Sequence, residues 1–263
     1  MDGHETTQFL DVDGTRLEVQ WVGRTDADAP VLVFLHEGLG CVEMWKGFPA
    51  KVADRTGLPA LVFSRRGYGR SDPCDLPRPV DFMHHEGLHV MPRLLDAAGI
   101  GRAVLVGHSD GGSIALVHAG GARDPRVRAV VTIAAHVFNE EVCVASIRAA
   151  REAYATTDLR ARLARYHGDN VDCAFRGWND VWLHPDFWHW NLEEFLPGIT
   201  VPALVIQGSA DEYGTERQVD TIVHGVAGPV VKCMVAGAGH SPHLVKPDAT
   251  LDAIARFVAE LKL

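Results

Sequence analysis

Long apolar runs are missing from this chain of 263 residues: the longest, Val31–Leu35, falls far short of the roughly 20 residues a helix needs to cross a bilayer. No membrane span is expected. Positive charge is scarce as well. The 25 Lys and Arg stand against 34 Asp and Glu, a net charge of −9, so the basic footprint that nucleic-acid binding requires is missing. Cysteine is sparse, with five residues, an odd number, and no Cys-x-x-Cys spacing. No disulfide framework is implied, and free thiols are expected. Residues 1–10 have neither the basic head nor the apolar stretch of a secretion leader, which points to the cytoplasm. No period of roughly 20 to 50 residues repeats and no low-complexity stretch occurs, which removes solenoids and propellers. What remains, at 47% hydrophobic and 22% charged residues, is a globular chain able to bury one large core without metal or disulfide staples.

Residues 7–10 and 16–22 alternate in polarity around Asp13-Gly14, a dipeptide suited to the positive φ of a tight hairpin turn. Short runs rich in β-branched residues follow at 31–35, 60–63, 103–106, 127–133, 203–206 and 230–235. Most are apolar on both faces, the signature of buried parallel strands. Segments with helical spacing separate them at 42–56, 82–98, 112–119, 215–226 and 249–261. The alternation predicts a parallel sheet covered by helices on both faces. Residues 137–198 break this rhythm. They lack a strand-like run, carry Trp178, Trp182, Trp188 and Trp190, and are expected to form an inserted, mostly helical cap. The expected division is therefore a core of residues 1–136 and 199–263 with a cap of 137–198.

The strand at 103–106 runs into Gly107-His108-Ser109-Asp110-Gly111-Gly112 and then into a helix-like stretch, a G-x-S-x-G pattern at a strand-to-helix turn. Such a turn must be very tight to lift the serine oxygen clear of the sheet edge, and side chains two residues either side would collide. A serine hydroxyl needs a base to take its proton, and the base needs a third group to hold its tautomer. The strand at 203–206 leads to Asp211 and the last strand leads through a Gly-x-Gly loop to His240. The carboxyl ends of open parallel strands are where such groups collect, so Ser109, Asp211 and His240 are the expected nucleophile, acid and base. Glu212 and His243 are their rivals. Donors for a developing oxyanion are expected from the backbone amides of Asp110 and of Gly38, in the loop His36-Glu37-Gly38-Leu39-Gly40.

With Arg66-Gly67-Tyr68-Gly69-Arg70-Ser71 after the strand at 60–63, these motifs resemble the α/β-hydrolase fold family with a helical cap, over essentially the whole chain. The resemblance implies a mostly parallel eight-stranded sheet, helices on both faces, and hydrolysis without a cofactor or catalytic metal. It is specific for mechanism and weak for substrate. The chain departs from the usual pattern in two places: Glu37 stands where glycine is usual, and Ser64 where aspartate is usual. Glu37 is expected to pair with Arg65 or Arg66, or to meet a polar group of the substrate.

His85-Glu86-Gly87-Leu88-His89 spells HExxH, a zinc-protease signature. Its predicted place, on the helix before the nucleophile strand and away from the strand ends, makes it a decoy. Arg148, Arg151, Arg160, Arg162 and Arg165 are read as the wet face of the cap helices. The cap aromatics, too many to be core of so small an insertion, are expected in part to line a pocket over Ser109. Trp178 and Asn179 are the first candidates, joined by His136 and Phe138 and by Glu37 and Leu39 of the oxyanion loop. The expected activity is hydrolysis of a small to medium, largely apolar ester or lactone, with C–C bond hydrolysis or a slow-turnover ligand receptor as alternatives. Partners reduce to a small-molecule substrate and, at most, a second copy of the chain in a homodimer.

Overall fold

The computed structural model describes residues 8–23 and 29–261. Thr7, expected to open the first hairpin, and the rest of residues 1–7 lie outside the described residues. Strands β1 (Gln8–Val12) and β2 (Thr15–Val22) form the expected hairpin, with Asp13 and Gly14 at φ 57° and 79° in the turn. Strands β3 (Val31–Leu35), β4 (Ala60–Phe63), β5 (Ala103–His108), β6 (Val127–Ile133), β7 (Ala203–Gly208) and β8 (Val230–Val235) complete an open sheet ordered β1-β2-β4-β3-β5-β6-β7-β8. From β4 through β8 the pairings are parallel; only β1 with β2 and β2 with β4 run antiparallel.

Alternating side chains of each buried strand feed two separate cores. Leu32, Phe34, Val104, Val106 and Val131 pack on one face with helices α1 (Phe48–Thr56) and α10 (Pro247–Glu260). Val33, Leu35, Leu105 and Val130 pack on the other, with α2 (Phe82–His85), α3 (Met91–Ala97), α4 (Asp110–Val117) and α8 (Glu216–Gly225). Helices α2 and α3 occupy the single helix expected at 82–98, joined by a π turn at Glu86–Val90. His85 precedes that turn and His89 lies within it, with ring centroids 5.3 Å apart, and among the described residues no three His, Cys, Asp or Glu side chains gather as a metal site. The short α9 (Pro242–Val245) follows β8. No helix among the described residues is long and apolar enough to cross a membrane.

Between β6 and β7 the chain forms α5 (Glu141–Thr156), α6 (Leu159–His167) and α7 (Val171–Trp182), followed by short 3-10 turns. Five of the six aromatics singled out in the sequence are buried, more than expected, although Trp178 and Trp182 also border the space beside Ser109. Phe175, Trp178, Trp182, Phe187 and Trp190 are buried in the same cluster as the sheet face, and only Trp188 is exposed, at 46%. The insertion has no separate core to fill, because it shares that of the sheet. Three of its arginines meet surface carboxylates, Arg151 with Asp180, Arg160 with Asp172 and Arg162 with Asp158.

The cysteines also depart from expectation. Cys41, Cys143 and Cys233 are free, but Cys74, in the loop after β4, is joined to Cys173 of α7. The two lie 99 residues apart in sequence, so no local spacing announces the pair.

Candidate active site

Ser109 sits between β5 and α4 with φ 51° and ψ −120°, a region that costs a non-glycine residue about 1–3 kcal/mol. Its amide bonds to Ile133 O at 2.8 Å. The glycines either side permit this turn. A Cβ on Gly107 would lie 2.3 Å from Gly111 O, and one on Gly111 would lie 2.1 Å from Leu35 O. Both obstacles are backbone, with no flexible end to yield. Gly111→Ala is accordingly expected to destabilise by about 3 kcal/mol, read as a shift of the urea midpoint; a loss under about 0.5 kcal/mol would show the elbow to be slack.

Ser109 Oγ lies 2.9 Å from His240 Nε2, and His240 Nδ1 lies 2.9 and 3.1 Å from the two oxygens of Asp211. With Nδ1–H donating to the carboxylate, Nε2 is left to accept the serine proton. Asp211 also accepts the Tyr213 amide at 2.9 Å. Burial pushes its carboxyl up, but the hydrogen bond and charge of His240 outweigh this, and its pKa falls below the ordinary value. The rivals are placed elsewhere. Glu212 accepts the backbone amide of His240, not its ring, at 3.1 Å. His243 is buried against Trp45, Phe48 and His108.

Asp110 opens α4, so its amide is one of those without an intrahelical acceptor, at the positive end of the helix dipole. Its side chain is fully buried, accepting from Trp182 Nε1 at 3.1 Å and facing Arg65 Nη2 at 3.8 Å. Burial raises its pKa, with Arg65 opposing. Gly38 faces Trp178 so closely that a Cβ would come within 2.1 Å of the indole.

Gly38, Ser109 and His240 border a cavity of about 200 Å³. Of the residues expected to contact substrate, Glu37, Leu39, His136 and Trp178 line it. Phe138 and Asn179 do not. Asn179 is spent inside the insertion, donating to Ile147 O and accepting from Arg151, and the Phe138 ring lies under the Arg217 guanidinium. Trp182, one of the cap aromatics expected in part to line a pocket, does so, whereas sequence reasoning missed Cys143, Ile147 and Tyr213 as lining groups. Tyr213 packs its ring 4.7 Å from that of His240; its place two residues after Asp211 was the only signal.

Glu37 pairs with neither arginine through its carboxylate. Arg65 Nη2 donates instead to the Glu37 carbonyl at 3.0 Å, and Arg66 turns to Pro73 O and Asp75. The Glu37 carboxylate lies 3.4 Å from His108 Nδ1. Burial pushes it up, but His108 prevails and holds it far below the carboxylate range. Ser64, the other departure, donates to Glu18 Oε2 at 2.7 Å and accepts the Val42 amide, positioning the loop after the strand without touching the cavity.

Known proteins resemble this chain along its length. The esterase YbfF of Escherichia coli is 31% identical over 62% of this chain and 70% of its own. Epoxide hydrolase A of Mycobacterium tuberculosis is 23% identical over 99% of both. The crystal structure of the enol-lactonase of Burkholderia xenovorans superposes with a TM-score of 0.73 at 24% identity, covering 96% of this chain and all (100%) of that one. Residues 32–253 match the model of the alpha/beta hydrolase family, and with this open, mostly parallel sheet the chain belongs to that family.

Proposed function

We propose that the protein is a serine hydrolase that cleaves a small to medium, largely apolar carboxylic ester or lactone through an acyl-enzyme, with residues 137–198 acting as its cap. The observation that carries this reading is the continuous chain of hydrogen bonds from Ser109 through His240 to Asp211 at the wall of a cavity. His240 takes the Ser109 proton as Oγ attacks the carbonyl carbon, Asp211 holds the imidazole in the required tautomer, and the amides of Gly38 and Asp110 receive the oxyanion. His240 returns the proton to the leaving alcohol. Water, deprotonated by the same imidazole, then releases the acid.

Lining chemistry narrows the substrate. The cavity offers Trp178, Trp182, Ile147 and Leu39 to an apolar group, and the carboxylates of Glu37 and Glu212 to a polar one. No lysine or arginine lies among its described lining residues. Neutral or cationic esters therefore suit it better than anionic ones, which weighs against the acid substrates of C–C bond hydrolysis. The serine weighs against epoxide opening, where a carboxylate nucleophile forms the ester intermediate.

The test is a fluorophosphonate probe, followed by aryl esters of increasing acyl length and a hemisuccinate ester as the anionic member. Adduct mass on the peptide holding Ser109, turnover of short neutral esters, and poor turnover of the hemisuccinate are expected. Folded protein that takes no probe would mean that Ser109 is not activated, and a ligand receptor would be the better reading.

A further inference from the structure

The end of α6, the turn after it and helix α7 meet the loop after β4 at successive points. His167 Nδ1 accepts the Gly69 amide at 3.0 Å while its Nε2 faces Leu39 O at 2.9 Å, Asn170 donates to Gly69 O and Ser71 O, and Cys173 is joined to Cys74. The Cα atoms of the two cysteines are 6.5 Å apart, within ordinary disulfide reach. Both residues are partly exposed. Arg78, itself buried against Gly177 of α7, aims Nε and Nη2 at Cys74 Sγ, each at 3.3 Å. A guanidinium in that position stabilises negative charge on sulfur, the form that attacks oxidants. The remaining cysteines are unsuited to such chemistry. Burial pushes the Cys41 thiol up to about 12 and those of Cys143 and Cys233 upward too.

We propose that Cys74, Cys173 and Arg78 form a redox modification site for peroxide-class oxidants, whose disulfide clamps α7 onto the core and closes the roof over Ser109. The Cys74 thiolate attacks one oxygen of hydrogen peroxide; an S–O bond forms, the O–O bond breaks, and the departing oxygen leaves as hydroxide, which takes a proton from solvent to become water. The Cys173 thiolate then attacks the Cys74 sulfenic acid sulfur; the S–S bond forms, the S–O bond breaks, and the hydroxide released takes a second proton from solvent to become water. The two sulfurs give up two electrons in total, and the peroxide accepts them. A dithiol reductant reverses the change by thiol–disulfide exchange. The consequence for the cavity follows from the rest of α7. Trp178 lies over Gly38, and Trp182 bonds to Asp110 beside the nucleophile. With the clamp open, the start of α7 is still held through His167 and Asn170 just before it and by packing, so Cys173→Ser should fold.

The experiment treats the full-length protein with hydrogen peroxide or with dithiothreitol, beside Cys173→Ser. After peroxide, a Cys74–Cys173 cross-linked peptide is expected by mass spectrometry; after reduction, the amides of α7 should exchange hydrogen faster. Reduction is also expected to raise kcat/KM for a decanoyl aryl ester about tenfold relative to the acetyl ester, through easier opening of the roof. Cys173→Ser should behave as the reduced protein under either treatment. No cross-linked peptide after peroxide, or identical exchange and chain-length ratios in the two states, would overturn the proposal. Only the kinetic readout rests on the ester-hydrolase reading. If no ester is turned over, that reading fails, and the mass and exchange data still decide the redox site.

Discussion

Replacing Ser109 by alanine is expected to lower kcat on a short aryl ester by about 10⁶-fold, with an unchanged unfolding midpoint. The alanine keeps the same φ of 51° and removes only the oxygen that faces His240, so the loss belongs to the chemical step. His240→Ala should cost nearly as much, and the double variant little more, because nucleophile and base act as one unit. Asp211→Asn should cost about 10⁴-fold: the side chain fits, but its amide favours the wrong imidazole tautomer. Glu212→Gln separates the two candidate acids. It alters a group that holds the His240 backbone amide, and less than about a tenfold effect is expected. Measured kcat and KM for the five variants settle the assignment. Full activity in Ser109→Ala would place the chemistry elsewhere.

Acid should unfold this protein early. His36, His118, His136, His167 and His243 are all buried, and burial is the first cause that lowers each of their pKa values, that of His136 to about 4. In the unfolded chain these rings take up protons near pH 6.5. Between that value and the lowered folded values the unfolded state binds more protons, so stability falls as pH falls. For His136 the gap from 6.5 to about 4 corresponds to about 3 kcal/mol. That single ring is already a sizeable part of the about 5–15 kcal/mol by which a domain of ordinary stability is folded, and the other four rings act in the same direction. Asp211 adds to the loss at lower pH, where its depressed carboxyl is protonated; Asp110, raised by burial, works in the opposite direction. Urea midpoints measured from pH 7.5 downward should be level at first and then drop steeply below about 6.5. A level curve to pH 5 would mean that the rings are not held neutral inside the fold.

Much of the site was readable because its signals are local. Gly107 and Gly111 announce a tight turn by composition, and the turn demands them because their Cβ positions are filled by backbone. Asp211 and His240 each follow a recognisable strand, and parallel strands deliver their following residues to one edge. Asn179 and Phe138 were misread as lining groups because helix periodicity does not tell which buried side of an insertion faces a cavity. Glu37 was paired with the nearest cations in sequence, whereas its carboxylate meets His108.

The sequence by itself determined the order of strands and helices, the elbow at Ser109, and which residues stand at the strand ends. These follow from side-chain periodicity and turn sterics within a few neighbouring residues. Only the tertiary structure decided that the insertion shares the sheet's core, that Tyr213 packs on His240, that histidines are buried, and that Cys74 meets Cys173 across 99 residues. Such contacts are made between segments far apart in the chain, and their geometry is set by how whole layers pack.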